Sequence, residues 1–294
     1  MLEGKKRVQD NSIEASETKV ATIHYYWLDI IRFLAAFSVL LCHGRGFFLP
    51  AYGDLPAMQQ TPLTFCFYFL TRFGHEAVIV FFVLSGFLVG GRGITRMISG
   101  KFDITSYAID RFVRILLPLF GALLFHLVAS IIYGADVNPL EFIGNLFSLQ
   151  GVFVSSVVEP LWSLSYEVWF YIMLGAIACF VLQRNRVCRY GALFVLLICS
   201  YIFYKLQAIY LFIWVLGALG YFLVPSKPNY RLLWLFASFA ILSLMLCQIA
   251  FTSRAFPWIP EISLFVMLLL FATFCILWMV QQVTVVPRKK VTLV

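Results

Sequence analysis

The chain has 294 residues, of which 62% are hydrophobic and only 12% are charged. A soluble globular domain is about 45–50% apolar and about 25% charged, so this composition excludes an ordinary soluble protein and indicates an integral membrane protein. The formal net charge of +8 would suit nucleic acid, but its distribution along the chain favours a topology signal, and we expect no nucleic-acid partner. The seven cysteines show no CxxC pair or other metal-ligand spacing, so we expect no metal site.

A polar arm of mixed charge, residues 1–24, comes first, and no apolar run directly follows its basic residues, so we expect no cleaved signal peptide. Eight apolar segments follow, too long and too continuously apolar for the alternating strands of a barrel. The predicted fold is therefore all-α, a polytopic bundle of about eight transmembrane helices in a domain at 25–286, followed by a basic tail at 287–294. The predicted spans are 26–48, 65–90, 112–133, 161–182, 188–204, 208–224, 232–251 and 261–283.

The loops predict the orientation, since Lys and Arg concentrate on the cytoplasmic side of membrane proteins. With eight spans, 17 of the 22 Lys and Arg residues fall on one side, and the opposite loops, 49–64 and 134–160, contain none. We therefore expect both termini in the cytoplasm. Four of the 17 lie in the N-terminal arm, and the other 13 are Arg92, Arg96, Lys101, Arg111, Arg114, Arg184, Arg186, Arg189, Lys227, Arg231, Arg288, Lys289 and Lys290.

Two segments leave the number of spans open. Residues 139–156 are apolar enough for a ninth span, but counting them would move the cluster Arg184–Arg189 outside, so we favour an interfacial or re-entrant segment. The fifth and sixth helices are short and closely spaced, so they are either tilted or differently bounded.

Ionisable residues in the first span are the first candidates for a functional site, because a charge inside the membrane costs about 2.5–3.5 kcal/mol or more. Asp29 and Arg32 are three residues apart and able to pair on one helical face. Arg32 and His43 are eleven residues apart, close to three turns, and so share a stripe over roughly 16 Å. A packing ion pair and a hydrogen-bonded histidine are the ordinary alternative.

The second span carries Arg72, His75 and Glu76, which form either a structural triad or part of a site. Ser85-Gly86 is a small pair that lets another backbone or a ligand approach closely.

In the third span, Arg111 and Arg114 share a face at the cytoplasmic boundary, where guanidinium groups suit phosphate, although plain topological anchoring is the alternative. His126, deeper in that span, is more typical of a hydrogen-bonded core histidine. The fourth span places Ser163 and Glu167 four residues apart near Trp162, and a membrane carboxylate such as Glu167 requires a proton, a partner or a function.

Four of these segments together resemble acyltransferase family 3, the integral-membrane O-acyltransferases that modify cell-surface sugars. Leu28-Asp29 and the Arg32 to His43 spacing match its first signature, and FFVLSGFL at 81–88 matches its second. RFVRILLP at 111–118 and WSLSYEVWFY at 162–171 resemble its next two blocks, so the resemblance covers roughly residues 25–175.

The resemblance implies a bundle of about ten helices that transfers an acyl group, commonly acetyl, from cytoplasmic acyl-CoA to a hydroxyl of an extracytoplasmic or lipid-linked carbohydrate. It implies no permanently bound cofactor, and a multi-pass protein of a cell membrane, in bacteria the inner membrane. His43 and Glu167 would be catalytic, and Arg32, Arg111 and Arg114 would bind the donor. Possible supporting residues are Asp29, Glu76, Ser85, Trp162 and Ser163.

The family normally continues into further helices with a Ser-Tyr and a Tyr-x-x-His-like stretch, which this chain does not contain. We therefore expect a truncated, frame-shifted or short divergent member, and a non-catalytic paralogue stays an alternative. A secondary transporter or flippase that uses Asp29, Arg32, Glu76 and Glu167 as a relay is another, although no inverted repeat or pair of broken helices supports it.

Overall fold

The computed structural model describes residues 22–24, 26–252, 261–285 and 289–291. Within these ranges the chain is a helical bundle, and seven helices are long and apolar enough to cross a membrane. An eighth apolar helix, Ala208–Leu223, is shorter. The prediction of an all-α polytopic bundle is thus confirmed, and the sixth span is the short one.

The α-helices in chain order are α1 (Tyr26–Phe48), α2 (Pro62–Leu70), α3 (Gly74–Ser85), α4 (Arg92–Ile98), α5 (Ile104–Arg111), α6 (Leu117–Tyr133), α7 (Pro139–Leu146), α8 (Trp162–Leu182), α9 (Arg186–Lys205), α10 (Ala208–Gly220), α11 (Tyr230–Thr252) and α12 (Glu261–Val285). Short 3₁₀ turns lie at Tyr52–Asp54, Ala57–Gln59, Glu159–Leu161 and Tyr221–Leu223, and π-helical turns lie at Gly86–Gly91 and Phe112–Leu116. The strands are β1 (Thr22–His24) and β2 (Lys289–Val291).

The third span begins eight residues earlier than its apolar stretch predicts, because Asp103 caps α5. The Asp103 carboxylate accepts hydrogen bonds from the backbone N–H groups of Thr105 and Ser106, at 3.1 and 3.2 Å. The π turn at Phe112–Leu116 follows, directly before Pro118. In a regular α-helix the ring of Pro118 would clash with the carbonyl of Arg114, and the wider π turn is a common way to accommodate such a break.

The segment at 139–156 does not cross the bundle. It contains only the eight-residue helix α7 and then a folded loop. Asn145 donates to the backbone oxygens of Glu141 and Ser155, each at 2.8 Å, which closes the loop on itself. Ser165 and Trp169 of α8 donate to the carbonyl of Ser148, so the loop docks on that helix. These contacts agree with the prediction that the segment is not a ninth span.

A close crossing of the second and sixth spans forms the centre of the buried core. A Cβ atom added to Gly86 would lie 2.0 Å from the Trp214 carbonyl oxygen, and one added to Gly217 would lie 2.5 Å from the Val83 carbonyl oxygen. Gly86 and Gly90 form a GxxxG pair, which lets two helix backbones meet without intervening side chains. The expected close approach at Ser85-Gly86 is therefore present.

The two short strands, β1 and β2, pair antiparallel, with Thr22 opposite Val291 and His24 opposite Lys289. The segment before the first span and the segment after the last span consequently lie together, at the same end of the bundle. This agrees with an even number of crossings.

Candidate active site

A basic cavity of about 360 Å³ lies at the end of the bundle where α1 begins. Six cationic side chains and three carboxylates line it, which gives a formal excess of three positive charges among its described lining residues. The cations come from the first three spans and the loop between the second and the third. The cations are Arg32, Arg92, Arg96, Lys101, Arg111 and Arg114, and the carboxylates are Asp29, Asp103 and Asp110.

Two of the three carboxylates have structural partners. Asp29 pairs with Arg32 at 3.3 Å, with both side chains nearly half exposed, so the pair orients Arg32 more than it stabilises the fold. Asp103 caps α5, and the hydroxyl and N–H of Ser106 with the N–H of Thr105 hold the pKa of Asp103 below its ordinary value. Asp103 therefore stays ionised, and the first turn of α5 holds its carboxylate.

Arg111 and Arg114 line this cavity together, as their spacing predicts. The Arg111 guanidinium lies over the rings of Tyr171 and Tyr107, 5.3 and 5.9 Å from their centroids. Its Nε is buried and has no hydrogen-bond partner among the residues that the structure describes. Both arginines, with Arg32, also line an adjoining cavity of about 430 Å³ that extends toward the middle of the bundle.

A chain of hydrogen bonds ends at Glu167 in this adjoining cavity. The Trp214 indole N–H donates to the Ser85 hydroxyl at 3.1 Å, and the Ser85 and Tyr171 hydroxyls are 2.9 Å apart. The Tyr171 hydroxyl donates to the Glu167 carboxylate. All donors can point one way along this chain, so it is fully satisfied when Glu167 is the acceptor.

A third cavity, of about 830 Å³, lies at the other end of α1. We call it the outer cavity, because the basic loops predict that this end is extracytoplasmic. Half-buried His43 lines it together with His75, Glu76 and Trp162. The His75 ring stacks on Trp162, with centroids 5.8 Å apart, and its Nε2 lies 2.9 Å from the Tyr210 hydroxyl. Glu76 is 2% exposed, and its carboxylate interacts with the side chain of Gln248 and with the charge of Arg72.

The family model of the acyltransferase domain of acyltransferase family 3 matches residues 25–288. That match covers most of the chain. The chain belongs to acyltransferase family 3. No curated protein and no solved structure was found to match it.

In this membrane acyltransferase the predicted site residues divide between the two ends of the bundle. Arg32, Arg111 and Arg114 lie together with Glu167, with Asp29 and Ser85 close by, whereas His43 lies with Glu76 and Trp162. His43 and Glu167, both predicted to be catalytic, thus line different cavities. Ser163 lines none of these three cavities and donates to the Pro160 carbonyl at 3.3 Å.

Sequence reasoning missed several residues of the acyltransferase site. Tyr171 connects Glu167 to Ser85, and its signal was present because it lies four residues after Glu167 on the same helical face. Trp214 carried no such signal, since its contact with Ser85 depends on how the second and sixth spans cross. Arg92, Arg96 and Lys101 had been assigned to topology alone, yet they line the basic cavity.

Proposed function

We propose that the chain transfers an acyl group, acetyl in the simplest case, from cytoplasmic acyl-CoA to a hydroxyl of an extracytoplasmic or lipid-linked carbohydrate, in the bacterial inner membrane. One observation carries the proposal. A single helix, α1, places Arg32 in the basic cavity and His43 in the outer cavity, so donor and acceptor would meet along one face of it.

The basic cavity supports an acyl-CoA donor. Coenzyme A carries a 3′-phosphate and a pyrophosphate, and guanidinium groups bind such oxygens through paired, charge-assisted hydrogen bonds. Arg111 and Arg114 supply these groups beside the excess positive charge of the cavity. Glu167 lies within electrostatic reach of Arg111 and Arg32, so we assign to it the positioning of the two arginines.

The outer cavity supports the chemistry at the acceptor. The imidazole of His43 would take the proton of the acceptor hydroxyl while that oxygen attacks the thioester carbonyl carbon. The carbon–sulfur bond then breaks, the coenzyme A thiolate leaves and takes up a proton, and an ester remains on the sugar. Because Arg32 and His43 are roughly 16 Å apart along the helix, the flexible arm of coenzyme A has to extend along α1 through the cavity that contains Glu167.

Mass analysis of surface polysaccharide tests this function directly. Cells that express the chain should carry sugars heavier by one acyl group per modified residue, and the increment identifies the acyl group. Mild alkali should remove the increment, because an ester is hydrolysed where an amide is not. Polysaccharide of identical mass with and without the chain would contradict the proposed function.

A further inference from the structure

Two arginines line the outer cavity, at the end of the bundle that is otherwise poor in basic residues. Arg45 lies in the last turn of α1, and Arg72 lies in the break between α2 and α3. The flanking loops, 49–64 and 134–160, contain no Lys or Arg. Topology does not require a cation at this end, so the two arginines need another explanation.

Arg72 has a carboxylate nearby, since it interacts electrostatically with Glu76. Glu76 is the one carboxylate among the described residues that line the cavity. The second guanidinium, that of Arg45, therefore leaves the cavity with a net positive charge even when both histidines are neutral.

The guanidinium of Arg45 is held in place but not saturated. It lies over the Tyr68 ring, 5.0 Å from the centroid, and Nη1 donates to the Tyr68 carbonyl over a long 3.5 Å. Its Nε is buried without a hydrogen-bond partner among the described residues. A guanidinium has five N–H donors; apart from the buried Nε and the one bond from Nη1, the Nη donors of Arg45 stay available to a ligand. A cation in the last turn of a helix also complements the macrodipole, but an exposed side chain would do this equally well.

We infer that the acceptor carries an oxyanion, a carboxylate or a phosphate, which Arg45 binds with Arg72 beside it. This inference rests on the proposed function and names the class of its acceptor. Tyr52 and Trp162 supply aromatic walls to the same cavity, as expected for a pocket in which few polar groups fix the orientation of a ligand. Because Arg45 and His43 line the same cavity, an acceptor whose anion is bound at Arg45 would have its hydroxyls in the cavity that the imidazole lines.

Binding without donor tests the inference separately from catalysis. The full chain in nanodiscs is titrated, by saturation-transfer NMR, with methyl glucoside, methyl glucuronide and glucose 1-phosphate. At least one anionic probe should bind roughly tenfold or more tighter than the neutral glucoside, the gain expected from a charge-assisted hydrogen bond. A carboxylate preference indicates a uronic acid, and a phosphate preference indicates a phosphate-linked sugar.

Matched variants assign the preference to Arg45. Arg45→Gln should bring the anionic probe down to the level of the neutral one, and Arg45→Lys should keep part of the difference. Lys205→Gln removes a cation outside this cavity and should change nothing. Equal binding of all three probes, no binding of either anion, or a preference that survives Arg45→Gln would overturn the inference. A charge preference without any acyl transfer would instead overturn only the proposed function.

Discussion

Arg111 and Arg114 differ in their surroundings although both line the same two cavities. The Arg111 guanidinium lies over the rings of Tyr107 and Tyr171, whereas Arg114 is exposed in the π turn. Because these ring contacts already restrict the Arg111 side chain, it loses less conformational entropy when a phosphate binds. We therefore expect Arg111 to contribute more to donor affinity than Arg114.

Replacing either arginine with Ala should raise the apparent KM for acyl-CoA, roughly tenfold or more for Arg111, since a hydrogen bond to a charged group contributes about 1.5–3 kcal/mol. Lys should rescue only partly, because it has no fork of donors. Steady-state transfer with labelled acetyl-CoA measures the effect. Arg184→Ala is the matched control, because Arg184 lies in a loop predicted on the same side of the membrane and lines none of the three cavities. If both Ala variants bind coenzyme A like the parent, the pair is only a topological anchor.

Tyr171→Phe should weaken transfer, because it removes the hydroxyl between Ser85 and Glu167 and leaves both with one partner fewer. A buried polar group left unpaired costs about 1–3 kcal/mol, so the unfolding temperature should also fall. The diagnostic readout is the acyl-CoA KM, which should rise if Glu167 no longer positions Arg111. Tyr166→Phe on the same helix, where the hydroxyl accepts from the Gln207 N–H, is the control that should lower stability without changing KM. Equal KM values in the two variants would exclude a positioning role for Tyr171.

At the scale of helices, hydrophobicity was sufficient to predict where the spans lie but not how they are built. The run of apolar residues at 65–90 predicted a single span. Its hydropathy did not reveal the break at 71–73 or the π turn at Gly86–Gly91 within it. The separation of His43 from Glu167 depends on how α1 and α8 pack on α3, which spacing along one helix does not determine. By contrast, the pairing of Asp29 with Arg32 was predictable, because a spacing of three residues determines the contact within one helix.

The crossing of α3 and its π turn with α10 should tolerate no added side chain. Gly86→Ala would place a methyl group 2.0 Å from the Trp214 carbonyl oxygen, and overpacking of this kind costs about 1–3 kcal/mol or more. We expect a lower midpoint of thermal unfolding in detergent and reduced transfer, because Ser85 and Trp214 would separate. Gly121→Ala in α6 has open space around it and should be neutral or slightly stabilising. Equal unfolding midpoints for Gly86→Ala and Gly121→Ala would show that the second and sixth spans cross less closely than described.

At the scale of the whole molecule, orientation is the assumption that connects the two cavities to donor and acceptor. The pairing of β1 with β2 places the segment before the first span beside the segment after the last span, at one end of the bundle. The basic loops predict that this end of the bundle is cytoplasmic. In a background with all seven cysteines replaced, a cysteine at position 54 should react with an impermeant maleimide in intact cells. A cysteine at position 101 should react only after permeabilisation. The reverse pattern would place the basic cavity outside and remove the route for a cytoplasmic donor.

The central claim is that His43 acts as the general base of an acyl transfer, and His43→Gln tests it most directly. Glutamine keeps much of the size and hydrogen bonding of the imidazole but cannot take up the proton. A general base contributes roughly 10²–10⁴-fold to the rate, so transfer from labelled acetyl-CoA should fall at least about 100-fold. Binding of coenzyme A should persist, because the arginines lie roughly 16 Å away along α1.

His126→Gln is the matched control. His126 is also a histidine within a membrane span, but it contacts Ser130 at 3.4 Å and lines none of the three cavities. The account predicts near-parental transfer for His126→Gln beside near-complete loss for His43→Gln in the same membranes. Near-normal transfer by His43→Gln would make His43 a packing residue and would contradict the mechanism.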